Sequence, residues 1–181
     1  MLTITIPASG TLWDERREMF IEVKAQTIQL EHSLVSLARW ESKWHKAFLS
    51  KRPKTIEETI DYIRCMTVTK NVPDEAYYGL TQENIDAINR YIEDPMTATV
   101  FFKEEKAPSS SETVTADLIY YWMISLGIPV EFEKWHLNRL LTLIKVFNVK
   151  NQKPKKMSKS ATASYYASLN AARRQKLGTK G

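Results

Sequence analysis

The last acidic residue of this 181-residue chain is Glu133, and the charge on either side of it limits what each part can fold into. Residues 1–133 carry 14 basic and 21 acidic residues, a net charge of −7, whereas residues 134–181 carry 12 basic and no acidic residues. A basic run of this kind is typical of a segment that seeks an anionic partner. We therefore expect a mildly acidic folded body followed by a basic C-terminal extension.

The composition of the body is that of a globular domain. The chain is 43% hydrophobic, with 5 Trp and 8 Tyr, which is enough large apolar surface to form a core. Since domains typically span about 100–200 residues, we predict one mainly helical domain over residues 1–149 and a basic linker with a marginal helix over residues 150–181. Cys65, the single cysteine, excludes an internal disulfide and favours a reducing compartment.

Two further absences in the sequence indicate a cytoplasmic protein. The longest apolar stretch, residues 118–128, is too short to span about 30 Å of hydrocarbon. Residues 1–6 lack the basic and apolar regions of a signal peptide. The predicted location is the cytoplasm, without a membrane anchor.

Alternating residues predict a few short strands. Leu2, Ile4 and Ile6 alternate with threonines before Pro7, which is typical of a strand. A weaker alternation in residues 20–30 predicts a second strand or hairpin partner, and the β-branched and aromatic residues at 96–102 predict another.

Helical periodicity accounts for most of the remaining body. Ser33 and Thr55 are predicted to cap the first two helices, and Gly127 is predicted to end the fourth. The fold class is therefore predicted as α+β and predominantly α-helical. The predicted helices of the body cover residues 33–48, 55–66, 81–92, 113–126 and 132–147.

The C-terminal extension contains one more candidate helix. Residues 150–156 have the composition of a linker, and residues 160–177 are compatible with a helix that has only a narrow apolar stripe. Such a helix is marginal in isolation, so we expect it to order on a partner.

Residues 156–160 read Lys-Met-Ser-Lys-Ser, the KMSKS signature of class I aminoacyl-tRNA synthetases. That chemistry also requires a doubly wound nucleotide-binding sheet and a His-x-Gly-His segment. The chain has no His-x-Gly-His segment and only 5 glycines. We interpret the signature as an incidental part of a lysine-rich linker.

The histidines, the cysteine and the carboxylates form no recognisable catalytic or metal site. His32, His45 and His136 do not have the spacing of a shared metal, and one cysteine completes no ligand cluster. Cys65 is better explained as a small buried hydrophobe than as a nucleophile. We therefore predict a protein that is not an enzyme and has no cofactor or metal.

Two features of the sequence are candidates for binding a partner. Trp40 and Trp44 lie one helical turn apart, where they either pack in the core or serve as aromatic anchors for a partner. The basic extension suits nucleic acid, with strong salt dependence, or an acidic protein surface. Its candidate partner-binding residues are Lys150, Lys153, Lys155, Lys156, Lys159, Arg173, Arg174 and Lys176.

Five strings of the sequence resemble a group of tailed-bacteriophage proteins encoded among virion-morphogenesis genes; they lie at residues 30–37, 40–44, 61–66, 120–123 and 134–144. The resemblance covers about residues 1–178, and the group is identified with the tail assembly chaperones. It implies a non-catalytic protein of the host cell cytoplasm that binds the long helical tape-measure protein while tail-tube subunits polymerise around it. It implies no individual site residues.

Two alternatives to this function follow from the same features. The first is a structural virion component of the head-tail junction or the tail, in which the extension orders against a neighbouring copy. The second is a nucleic-acid-binding accessory protein that uses the basic extension.

Overall fold

Two antiparallel strand pairs accompany the helices of this fold. A computed structural model describes residues 1–8, 10–14, 18–101, 113–151 and 159–178. Strand β1 (Leu2–Ile6) pairs with β4 (Gln26–Leu30), and β2 (Gly10–Asp14) pairs with β3 (Met19–Val23). The predicted α+β, predominantly α-helical class is confirmed.

The β1–β4 pair buries one face, as its alternating sequence requires. Ile4 and Ile6 of β1 and Ile28 of β4 are buried, while the threonines between them lie on the other side. The predicted first strand is therefore confirmed. The region at residues 20–30 contains two strands, β3 and β4, which belong to different pairs, and β2 was not predicted.

The helices follow the strands along the chain. Two short 3-10 helices, Asp74–Gly79 and Val130–Lys134, separate some of them. No helix of the described residues combines the length and apolarity needed to cross a membrane. The α-helices are α1 (Leu34–Trp44), α2 (Ile56–Met66), α3 (Gln82–Glu93), α4 (Ala116–Ser125), α5 (Leu137–Asn151) and α6 (Lys159–Leu177).

The starts of the first three helices are fixed by local side-chain hydrogen bonds. Ser33, Thr55 and Thr81 each accept a bond from the backbone N–H three residues later, and the side chain at that later position bonds back to the cap. Gly127 follows α4 with a φ of +65°, a left-handed conformation that suits glycine. The predicted caps and the end of α4 are thus confirmed.

The predicted strand at residues 96–102 is wrong for its described part, residues 96–101, which contain no strand. Met96 has a φ of +49°, and its N–H donates a 2.7 Å hydrogen bond to Oδ1 of Asp94. This turn lies directly after Pro95, at the start of the predicted strand. High β-propensity did not produce a strand because propensity is decided by neighbours to pair with and pack against.

Several predicted helix boundaries are also wrong, and the helix predicted over residues 113–126 begins only at Ala116. The first helix ends at Trp44, because His45 takes the left-handed conformation with a φ of +51°, and Phe48 lies beyond that turn. The helix predicted over residues 132–147 begins only at Leu137, since Trp135 is extended after the second 3-10 helix. Its C-terminal end lies later than predicted, and Lys150 is helical.

The core is centred on α1. Leu34, Leu37 and Trp40 have no exposed surface and pack with buried residues of the β1–β4 pair, α2, α4 and α5. Gly79 lies so close to the strands that an added Cβ would be 3.0 Å from Ile6 and 3.1 Å from Val23. A side chain at position 79 would therefore require these neighbours to shift by a few tenths of an ångström.

The chain divides into two compact units, residues 1–147 and residues 148–181. The first contains both strand pairs, α1 to α4 and most of α5. The second contains α6, and residues 152–158, on which most of the predicted linker falls, lie outside the described residues.

Candidate functional site

The buried carboxylates between α1 and α2 are fully engaged in structural contacts. Oε1 of Glu58 accepts hydrogen bonds from Arg52 at 2.8 Å and from Lys46 at 2.9 Å, and these bonds lower the pKa of Glu58 to about 2. Asp61 accepts from Lys43 and, at 2.8 Å, from the indole of Trp44. Because each carboxylate is already paired, this network joins two helices and offers no free acid or base.

Trp40 and Trp44 occupy different environments although their rings stack at 6.1 Å. Trp40 is 0% exposed, and its indole N–H donates to the backbone oxygen of Glu58 at 2.9 Å. Trp40 therefore packs in the core and presents no surface to a partner. Trp44 is half-buried, with its indole nitrogen held by Asp61.

Two histidines that are distant in the sequence meet inside the body. The rings of His32 and His136 have centroids 5.1 Å apart, and both residues are buried. The Tyr62 hydroxyl lies 2.7 Å from Nδ1 of His32, and burial holds the pKa of Tyr62 well above its usual range, so the hydroxyl donates. Nε2 of His136 donates to the backbone oxygen of Tyr91 at 2.9 Å.

Burial determines the charge state of this histidine pair. Burial, and then the neighbouring His136, lower the pKa of His32 from 6.5 to about 3. His32 is consequently neutral near pH 7. Its Nδ1 is occupied by the Tyr62 hydroxyl, which fits a structural role better than a catalytic one.

The cysteine is unsuited to nucleophilic chemistry. Burial, and then the nearby Asp61, raise the pKa of Cys65 to about 11, so that the thiol stays protonated near neutral pH. Among the described residues, no group of three or more His, Cys, Asp or Glu side chains could hold a metal ion.

A groove on the body is lined by residues of α2 and α3 together with Phe48 and Lys54. It encloses about 240 Å³. Its apolar lining comes from one face of each helix, through Ile63 on α2 and Ile85, Ile88 and Ile92 on α3. Phe48 and Tyr62 contribute stacked aromatic rings 3.8 Å apart, which form one rigid side of the groove.

A single ammonium group lines this groove. Lys54 places its Nζ 4.2 Å from the centroid of the Phe48 ring, a cation–π distance. Burial, and then the nearby Arg52, lower the pKa of Lys54, while Glu58 opposes the shift. Within the described part of the chain Lys54 has no carboxylate within 4 Å. The ammonium is therefore partly desolvated and without an ion pair.

The β2–β3 hairpin presents a separate pair of aromatic side chains. Trp13 and Phe20 are both exposed, and their rings meet edge to face at 5.0 Å. The sequence does not predict this pair, because neither residue stands in a strong periodic pattern. Cross-strand aromatic contact of this kind stabilises a hairpin.

The basic candidate residues are distributed over two helices and the residues between them. Lys150 is exposed in the last turn of α5, and Arg173, Arg174 and Lys176 are exposed near the end of α6. Lys159 is the first residue of α6. Lys153, Lys155 and Lys156 lie outside the described residues, as does most of the KMSKS signature.

Helix α6 exists as predicted but has no buried face. None of its residues with described side chains is buried, and Tyr165 and Tyr166 are exposed with their rings 5.7 Å apart. Arg174 and Lys176, in the last turn of α6, interact favourably with the negative end of the helix dipole.

Comparison with known proteins adds no further assignment. No family model, no curated protein and no solved structure matches the chain.

Proposed function

We propose that this protein acts by binding another protein and serves as a tail assembly chaperone of a tailed bacteriophage. The observation that carries the binding role is α6, a helix of 19 residues without an acidic side chain and without a buried one among those described. A helix gains most of its stability from packing an apolar face. A partner surface would supply that packing.

The charge of α6 and of the residues before it favours an acidic partner. Lys150, Arg173, Arg174 and Lys176 are exposed, and none of them forms an ion pair with a carboxylate of the described residues. Complementary charge of this kind speeds encounter and orients the complex. The assignment to tail assembly, and to the tape-measure protein as the partner, is supported by the sequence resemblance.

A capture experiment tests this function. The tagged full chain and a truncation ending at Asn151, which retains α5 and removes α6, would be recovered from phage-infected cells and their co-purifying proteins identified by mass spectrometry. The full chain is expected to recover a long helical protein and to be missing from finished virions. The truncation is expected to recover less of that protein.

Two results would contradict the proposal. Stable copies of the chain in purified particles would favour a structural virion component. Recovery of nucleic acid alone, lost in the truncation and steeply weakened by salt, would favour a nucleic-acid-binding accessory protein.

A further inference from the structure

The groove between α2 and α3 is suited to bind a third helix. On α2, Thr59 and Ile63 line it, and on α3 the lining residues recur three and four positions apart from Ile85 to Ile92. Helices pack by inserting side-chain ridges of one helix into grooves on another, so a third helix can contact both of these faces. This is the geometry of helix-in-groove recognition.

The apolar row on α2 continues beyond the cavity to an unpartnered isoleucine. Ile56 lies three residues before Thr59 and seven before Ile63, which places all three on one side of the helix. Ile56 is 81% exposed, although it is a large aliphatic residue one helical turn before Thr59, which lines the cavity. A helix lying along the groove would cover it.

The volume of the groove separates two kinds of occupant. Pockets for small-molecule ligands typically measure about 300–1,000 Å³. The 240 Å³ available here is below that range but is sufficient for a few apolar side chains projecting from a helix. The size therefore favours side-chain anchors over a free cofactor.

The charge at one end of the groove specifies the chemistry of that helix. Lys54 has no carboxylate within 4 Å among the described residues, and the exposed Lys51 precedes it, whereas Arg52 is already paired with Glu58. A partly desolvated ammonium with a cationic neighbour gains from an added anion. A carboxylate flanking the apolar face of the occupant would supply it.

We propose that the groove between α2 and α3 binds an acidic amphipathic helix of a partner protein, with apolar side chains in the cavity and over Ile56 and a carboxylate paired with Lys54. This inference deepens the proposed function, on which it rests for the partner being a protein.

Two labelled synthetic peptides of about five helical turns test the site. Both carry leucines three and four residues apart, and one has glutamates and the other lysines on the flanks of that face. Titration of each with the full chain would be followed by fluorescence anisotropy. The acidic peptide is expected to bind saturably and about tenfold more tightly than the basic one. Lys54→Glu is expected to reverse that preference.

A matched pair of exposed isoleucines supplies the control. Ile56→Ser is expected to weaken binding of the acidic peptide about tenfold, because an aliphatic contact that is buried in the complex is lost. Ile124→Ser changes an isoleucine that is 74% exposed on α4, away from the groove lining, and is expected to leave affinity unchanged. Equal affinity for both peptides, or equal effects of the two substitutions, would overturn the inference.

The same variants separate this site from the proposed function. If the full chain captures a long helical protein from infected cells and Ile56→Ser captures it equally well, the groove inference is overturned and the chaperone role stands. If the acidic peptide binds as expected but no such protein is captured, the site stands and the chaperone role is overturned.

Discussion

Replacing the buried His32 is expected to remove a defined part of the acid sensitivity of this fold. In the native chain the pKa of His32 is about 3, against 6.5 for an unperturbed histidine. The unfolded chain therefore binds a proton at this position in mildly acidic solution while the folded chain does not. The contribution of the neutral His32 imidazole to the free energy of unfolding is complete above about pH 6.5 and is lost as the pH falls from there toward 3.

The size of this effect follows from the two pKa values. Between pH 8 and pH 5.5, protonation of the unfolded chain at His32 lowers the free energy of unfolding by about 1.4 kcal/mol. Glu58, whose pKa is lowered to about 2, loses its contribution only below its ordinary value of 4.5. The interval from pH 8 to pH 5.5 therefore isolates the histidine from this carboxylate.

Urea denaturation of the wild type and His32→Asn across this pH interval measures the difference. The wild type is expected to lose about 1.4 kcal/mol more than the variant, whatever the variant's stability at pH 8. His45→Asn, which removes an exposed imidazole at a left-handed position that asparagine tolerates, serves as the control. The control is expected to behave as the wild type.

An NMR titration supplies the result that would refute the reasoning. The His32 imidazole of the folded protein is expected to show no titration between pH 8 and pH 5.5. A midpoint near 6.5 in the folded state, or an unchanged pH dependence in His32→Asn, would mean that burial does not hold this ring neutral.

Three other changes test separate parts of the structure. Gly79→Ala is expected to lower the free energy of unfolding by about 1–3 kcal/mol, because its Cβ meets Ile6 and Val23; an unchanged urea midpoint would show that the strands can move aside. Thr55→Ala is expected to lower the free energy of unfolding in urea by about 1 kcal/mol, because it deletes the cap of α2. Thr55→Ser retains the capping hydroxyl and is expected to keep the wild-type stability. Cys65 should react with iodoacetamide at pH 8 at least about 100-fold more slowly in the folded than in the urea-unfolded chain, because its pKa is raised to about 11; similar rates would contradict that shift.

The sequence predicted features that neighbouring residues determine on their own. Thr55 and its bonding partner three positions later define the start of α2 irrespective of the rest of the fold. Residues 96–101 show the opposite case, since their β-propensity required a partner strand that the fold does not place there.

The candidate site could not be predicted from the sequence because it depends on distant residues. Lys54 lines the groove with Ile85 and Ile92, and no local pattern relates a lysine before α2 to the face of α3. The contact between His32 and His136 could not be predicted for the same reason, because the two residues are far apart in the sequence. Helical periodicity identified the apolar faces, but not which faces would leave a space between them.

The β2–β3 hairpin lies in the sequence between β1 and β4, so one strand pair is enclosed by the other. Closing a chain loop costs entropy that grows with its length, and the inner hairpin shortens the loop that β1 and β4 must close. The local pair is thus suited to form early and the outer pair to follow it. On this order of events, weakening the contact of Trp13 with Phe20 would slow refolding.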